Sequence, residues 1–88
     1  MQKYITEFVG TMFFVYVILT TGNPVAIGAA LALVIFVAAK RSGGHVNPAV
    51  SVVMASTGRL PMNDLVPYLL AQVFGGLAAV ELHKRVKM

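Results

Sequence analysis

The feature that most constrains this chain is the length of its apolar runs, the first of which extends from residue 4 to residue 21. About 20 apolar residues in a helix cross the ~30 Å hydrocarbon core of a bilayer. The 88 residues are 58% hydrophobic and only 11% charged, whereas soluble domains carry about 25% charged residues. We therefore expect an integral, multi-pass membrane protein of the all-α class.

Turn signals divide the chain into apolar helices. The second helix starts at Asn23-Pro24, because asparagine caps helices and proline is tolerated in their first turn. Asp64 is expected to cap the third, and Tyr68 to lie near a membrane interface, where aromatic residues are enriched. A signal peptide is the alternative for the first run, but Glu7 interrupts its core and no cleavage site follows. The expected transmembrane spans are residues 4–21, 24–39 and 64–83.

Residues 48–57 form an apolar segment that is too short to be a fourth span. Asn47 provides a start signal and Gly58 a stop signal, and a helix of about 10 residues reaches about 15 Å, half the hydrocarbon thickness. The preceding "SGGH" suits non-helical backbone, which membranes tolerate only where protein buries it or where it lines a water-filled cavity. We interpret the segment as a re-entrant half-helix, with a short interfacial helix as the alternative.

The Asn47-Pro48-Ala49 turn has chemistry suited to uncharged polar solutes. The Asn47 side-chain oxygen is expected to accept a hydrogen bond from the N–H of Ala49 or Val50, which leaves its NH₂ group pointing off the helix end. The N-terminus of a helix carries roughly half a positive charge, directed here at the bilayer centre. Fixed donors and a positive potential favour water and oppose cations and hydronium.

The segment "SGGHVNPAVSV" resembles the first Asn-Pro-Ala loop of the aquaporin and glycerol-facilitator family, the major intrinsic proteins. "EFVGT" at residues 7–11 is similar to the first-helix signature of that family, and "YLLAQVFGGLAA" at residues 68–79 to its third helix. These segments occur in the family's order over nearly the whole chain. The resemblance implies that residues 1–88 are a single half-repeat, with three transmembrane helices and one re-entrant half-helix forming half of an aquaporin-like right-handed bundle.

The resemblance also implies roles for individual residues. The Asn-Pro-Ala turn would form a midplane constriction, preceded by backbone carbonyls that accept hydrogen bonds from water. Glu7 and Gln72 are implied to support the re-entrant loop. Val50 departs from the family pattern, since an arginine normally follows the turn of the second half-repeat. The implied pore-lining residues are Ile27 in the outer filter, and Gly43, Gly44, His45, Val46, Asn47, Pro48, Ala49 and Val50 around the turn.

Other classes of function lack the residues they need. The chain has no cysteine, and His45 has no second histidine at metal spacing, so we expect no metal site and no cofactor. No nucleophile-base pair or phosphate-cradling loop occurs, so we expect no enzyme activity. The net charge of +4 comes from residues at the ends of apolar runs, which is typical of membrane flanks and does not indicate nucleic-acid binding.

Half a channel needs a partner, and the charges suggest which one. With three spans, the basic residues are nearly balanced across the membrane, and because lysine and arginine bias sets orientation, the chain is expected to insert both ways up. Two inverted copies recreate an inverted repeat. We expect a passive channel for water or small neutral solutes such as glycerol, urea or ammonia, formed by antiparallel homodimers that cluster as the family's tetramers do. The basic residues expected on one side of the membrane are Lys3, Lys40, Arg41 and Arg59, and those expected on the other side are Lys84, Arg85 and Lys87.

Two alternatives remain open from the sequence. One is a dual-topology, proton-coupled exporter in which Glu7 is the coupling carboxylate, although such a protein has no use for the half-helix. The other is a non-conducting half that assembles with a full-length relative. Met1 and the basic tail favour a complete small gene product over a fragment.

Overall fold

The computed structural model describes residues 1–86, which form four α-helices and no strand. Lys87, which the charge comparison includes, and Met88 lie outside the described residues. The all-α class is confirmed. Two of the helices, α1 and α4, are long and apolar enough to cross a membrane, whereas α2 has 15 residues and a length of about 22 Å. The helices are α1 (Gln2–Thr21), α2 (Pro24–Ala38), α3 (Pro48–Ser56) and α4 (Met62–Val86).

Two residues at the start of α4 have hydrogen-bond partners that the sequence did not predict. Asp64 lies inside the first turn of the helix and does not cap it, because its carboxylate accepts hydrogen bonds from Lys3 Nζ at 2.6 Å and Tyr4 Oη at 2.7 Å. Tyr68 is only 2% exposed, and its hydroxyl donates to the backbone oxygen of Ser42 at 2.8 Å. Tyr68 therefore faces the interior of the bundle, where its hydroxyl has a buried acceptor, and its position relative to the membrane interface stays a prediction.

Helices α1 and α4 run parallel and pack closely. A Cβ atom added at Gly75 would lie 2.5 Å from the backbone oxygen of Phe8, so only glycine permits this approach. Ala79, one turn further along, is 0% exposed. Because later residues of α1 meet later residues of α4, both helices begin at the same end of the bundle. The successive contacts pair Lys3 with Asp64, Phe8 with Gly75, and Tyr16 with His83.

Helix α2 packs on α1 in the opposite direction. Its buried residues Val34 and Ala38 face α1, where a Cβ atom added at Gly10 would lie 3.1 Å from Val34 Cγ1. Near the end of α2, Ala38 and Arg41 line a groove together with Ile5 from the start of α1. The chain therefore returns along α2 to the end of the bundle at which α1 and α4 begin.

Candidate functional site

The loop between α2 and α3 runs back into the bundle. A Cβ atom added at Gly10, near the middle of α1, would lie 3.2 Å from Val46 Cγ1, so Val46 lies at half height. Helix α3 then descends from that level, and Ala55 near its end packs with Leu60 and Tyr68 at the end where α1 begins. The nine residues of α3 span about 14 Å. The half-helix therefore starts at the middle of the bundle and ends at its edge.

The loop reaches this position through backbone conformations that few residues adopt. Gly43 and Gly44 have φ values of +92° and +65°, and Val46 has a φ of +43°. At Gly44, an added Cβ atom would also lie 3.0 Å from Ile35 Cα, so the loop lies directly against α2. Valine at positive φ is strained, because its branched Cβ crowds the backbone. Contacts from the rest of the fold must hold Val46 in place.

Glu7 supplies the main contacts that hold the loop. Its carboxylate is 0% exposed and accepts four hydrogen bonds, two of them from the backbone N–H groups of His45 at 3.1 Å and Val46 at 2.8 Å. The other two donors are Ser42 Oγ at 2.6 Å and Gln72 Nε2 at 2.9 Å. A buried carboxylate is costly unless donors surround it, and hydrogen bonds to an ionised group are about twice as strong as neutral ones. The loop therefore supplies donors that the Glu7 carboxylate requires.

Asn47 caps α3 as the sequence predicts. Its side-chain oxygen accepts a hydrogen bond from the N–H of Ala49 at 2.8 Å, and Pro48 occupies the first helical position. No described residue accepts from the Asn47 side-chain NH₂ group. Asn47, Pro48 and Ala49 are all exposed. The positive end of the half-helix is therefore open at the surface of the single chain.

A cavity of about 330 Å³ lies against the loop and α3. Six of the predicted pore-lining residues line it, and the rest of its lining is apolar side chains from α1, α2 and α3. Ile27, Pro48 and Ala49 do not line it, and Glu7 and Gln72 lie behind the loop and support it from α1 and α4. The cavity is lined by Gly43, Gly44, His45, Val46, Asn47 and Val50, and by Phe14, Leu31, Ile35 and Met54.

Three polar residues at the site were not selected from the sequence. Ser42 donates to Glu7, Tyr68 donates to Ser42, and Ser51 lies 2.8 Å from both Gln72 Nε2 and His45 Nδ1. Ser51 is 0% exposed. Its signal in the sequence was its position, one helical turn after Asn47 and among apolar residues, where a buried hydroxyl needs a partner.

Comparison with known proteins connects this geometry with a family. The family model described as Major intrinsic protein matches residues 1–88. The chain is 39% identical to Glycerol uptake facilitator protein-like 6 of Lactiplantibacillus plantarum, over 90% of this chain and 41% of that protein. It is 34% identical to Aquaporin NIP1-1 of Arabidopsis thaliana, over 93% of this chain and 33% of that protein. It is 38% identical to Aquaporin-8 of Mus musculus, over 97% of this chain and 37% of that protein.

The chain thus spans less than half the length of these curated relatives. No solved structure matches it significantly. The family match confirms the resemblance of the sequence motifs and the assignment to the membrane.

Proposed function

The chain belongs to the major intrinsic protein family, and from that premise we propose that it forms half of a passive channel for water and small neutral solutes. The relatives named for glycerol uptake and as aquaporins support this class of transport. The observation that carries the proposal is the half-helix α3, which begins at mid-height beside a cavity lined by six of the predicted pore residues.

We infer that α2 is the third transmembrane span despite its length. Because α1 and α4 are parallel, the chain must return across the membrane between them, and α2 is the helix that runs back along α1. Its outward residues are apolar, with Phe36 83% and Val25 81% exposed, as expected for contact with lipid or with a neighbouring chain. Residues 42–47 and α3 would then enter and leave the membrane on one side.

An exposed helix N-terminus at mid-depth requires a partner. Unpaired backbone groups in hydrocarbon cost several kcal/mol each, so they occur only where protein or a water-filled cavity covers them. We propose that a second, inverted copy covers the open face of α3 and brings a second Asn47 to the constriction. Helix ends facing each other from the two copies would give one continuous pore, and such pairs would cluster into larger assemblies.

The geometry of Glu7 disfavours the proton-coupled exporter. All four groups that contact its carboxylate donate hydrogen bonds, and three of them are N–H groups that cannot accept one from a protonated carboxyl group. Glu7 also lines neither the cavity beside α3 nor the groove between α1 and α2. A coupling carboxylate has to gain and lose a proton during transport, whereas these contacts are arranged for a carboxylate that accepts hydrogen bonds.

The test is osmotic permeability in vesicles reconstituted with the full chain. We expect permeability to water to rise in proportion to the protein content and to need no ion gradient. Transport that appears only with an imposed proton gradient would contradict the channel and support the proton-coupled exporter. Permeability that appears only after co-reconstitution with a full-length family member would indicate a non-conducting half.

A matched pair of variants tests the support of the loop. Glu7→Gln introduces an NH₂ group among four donors, so we expect loss of permeability and a decrease of about 3 kcal/mol in the free energy of unfolding. Glu81→Gln is the control, because its side chain is 59% exposed and contacts Lys84 and Arg85 at 3.6 and 3.7 Å. It should change stability by less than about 0.5 kcal/mol. Equal effects of the two substitutions would contradict the role of Glu7.

A further inference from the structure

The buried hydrogen bonds beside the loop have a fixed direction, set by Glu7. An ionised carboxylate can only accept, so Gln72 must turn its NH₂ group toward Glu7 Oε1. The same Nε2 atom lies 2.8 Å from Ser51 Oγ. Reversing the Gln72 amide would place its Oε1 against the carboxylate, which is why the amide keeps this orientation although Oε1 is then buried without a partner. Gln72 therefore donates to Ser51.

The Ser51 hydroxyl has one hydrogen to give, and one acceptor among the described residues lies within hydrogen-bond distance of it. Ser56 on the same helix donates to the backbone oxygen four residues earlier, at 2.8 Å, but Ser51 makes no such bond within the described residues. The atom that remains is Nδ1 of His45, at 2.8 Å. Since a buried hydroxyl proton without an acceptor is costly, Ser51 donates to Nδ1.

We propose that Ser51 is a positioning residue that holds His45 in the neutral tautomer with its proton on Nε2. A ring nitrogen that accepts a hydrogen bond carries no proton, so the proton of the neutral ring lies on the other nitrogen. The order of donation runs from Gln72 to Ser51 and from Ser51 to His45. These two hydrogen bonds connect three parts of the chain: α4, α3 and the loop.

The consequence is a side-chain donor at the pore lining. His45 Nε2 lies beside Gly43, 3.1 Å from where a Cβ atom of that residue would be, and both residues line the cavity. No described residue accepts a hydrogen bond from Nε2. The resemblance to the family implies that the loop carbonyls accept hydrogen bonds from solutes. With them, an Nε2–H donor would select solutes that both donate and accept hydrogen bonds at adjacent atoms, such as water and small alcohols or amides. This consequence depends on the proposed function, whereas the tautomer does not.

The experiment is solid-state NMR of the full chain in lipid bilayers, labelled with ¹⁵N-histidine and carrying His83→Gln so that His45 alone is observed. We expect an unprotonated Nδ1, a protonated Nε2, and a through-space contact between Nδ1 and the Ser51 hydroxyl proton. A protonated Nδ1 with a bare Nε2 would overturn the proposal without any need for a variant at Ser51.

Variants then test whether Ser51 is responsible. Ser51→Ala should convert the single tautomer into a mixture with a readily detected Nδ1–H form, and Ser51→Thr, which keeps the hydroxyl, should retain the single form. Ser56→Ala is the matched control, because its hydroxyl is exposed and bonds only its own helix; it should change nothing. A single Nε2–H tautomer in folded Ser51→Ala would show that Ser51 does not hold the tautomer. If that variant does not fold, absence of the contact between Nδ1 and the Ser51 hydroxyl proton in the unsubstituted chain would contradict the role of Ser51. None of these NMR signals depends on conduction. A failure of the proposed channel function can therefore be distinguished from a failure of the proposed tautomer.

Discussion

Two Asn-Pro turns begin helices in this chain, one at Asn23 before α2 and one at Asn47 before α3. In each, the asparagine oxygen accepts a hydrogen bond at 2.8 Å from the N–H two residues later. In each, proline occupies the first helical position. The two caps share this chemistry, and they differ by one further hydrogen bond at the first turn, from Ala26 N–H to Asn23 Oδ1 at 3.1 Å. The extra bond is at the first cap and not at the candidate site, so a difference in function must come from the surroundings.

The surroundings of the two turns differ sharply. The first turn is exposed and bonds only within its own segment, for example from Asn23 N–H to Thr21 Oγ1 at 3.2 Å. The second follows a loop that bonds to Glu7 on α1 and contacts Ser51, which bonds to α4. An Asn-Pro cap can therefore start a helix without contacts from other helices. A candidate pore site also requires neighbouring helices that hold the cap at a defined depth in the bundle.

The largest difference in the free energy of unfolding is expected between Gly44→Ala and Gly22→Ala. The two glycines precede the two turns with nearly equal φ values of +65° and +59°, so alanine is strained at both, by about 1–2 kcal/mol. At Gly44 the added Cβ atom also meets Ile35 Cα at 3.0 Å, while Gly22 has nothing within 4 Å. Overpacking adds about 1–3 kcal/mol. Unfolding in detergent should therefore show a larger loss for Gly44→Ala, and equal losses would mean that the loop does not press on α2.

A smaller effect on stability, but a clear one on transport, is expected from the caps themselves. Asn47→Ala and Asn23→Ala each remove one N-cap and should each lower the free energy of unfolding by about 1 kcal/mol. Only Asn47→Ala should also lower osmotic permeability, because in a homodimer it removes the amide donor from both halves of the constriction. If both variants conduct as the unsubstituted chain does, the second turn does not line a pore.

The smallest effect is expected in solute selection. Val50 lines the cavity, and an uncharged residue here should admit glycerol along with water. Val50→Arg should lower the ratio of glycerol to water uptake in stopped-flow measurements, because a bulky cation narrows the passage. Ala26→Arg stands at the same distance after the other turn and should leave the ratio unchanged. A channel that rejects glycerol and does not respond to Val50→Arg would exclude Val50 from the filter.

The sequence predicted the parts of this structure that depend on local signals. Helix starts at Pro24 and Pro48 follow from cap chemistry, and the half-length of α3 follows from its bounding signals. The wrong cap at Asp64 and the missed hydroxyl contact of Tyr68 have one physical cause, because both side chains bond partners far away in the chain. Ser51 was missed for the same reason. Spacing along one helix indicates which face a residue occupies, but not which buried acceptor it meets there.

Glu7 is an anion without a counter-ion, since the ion pairs among the described residues involve Asp64 and Glu81 only. Its carboxylate accepts a hydrogen bond from Val46, two residues before the start of α3. The N-terminus of that helix contributes only about half a positive charge. In the proposed channel, this negative charge would offset the positive helix end as a barrier to cations. Exclusion of cations by the proposed channel then rests on the energy of removing their hydration shells, which is several kcal/mol per ion. A neutral solute has no such cost, and permeability to it should not depend on the membrane voltage.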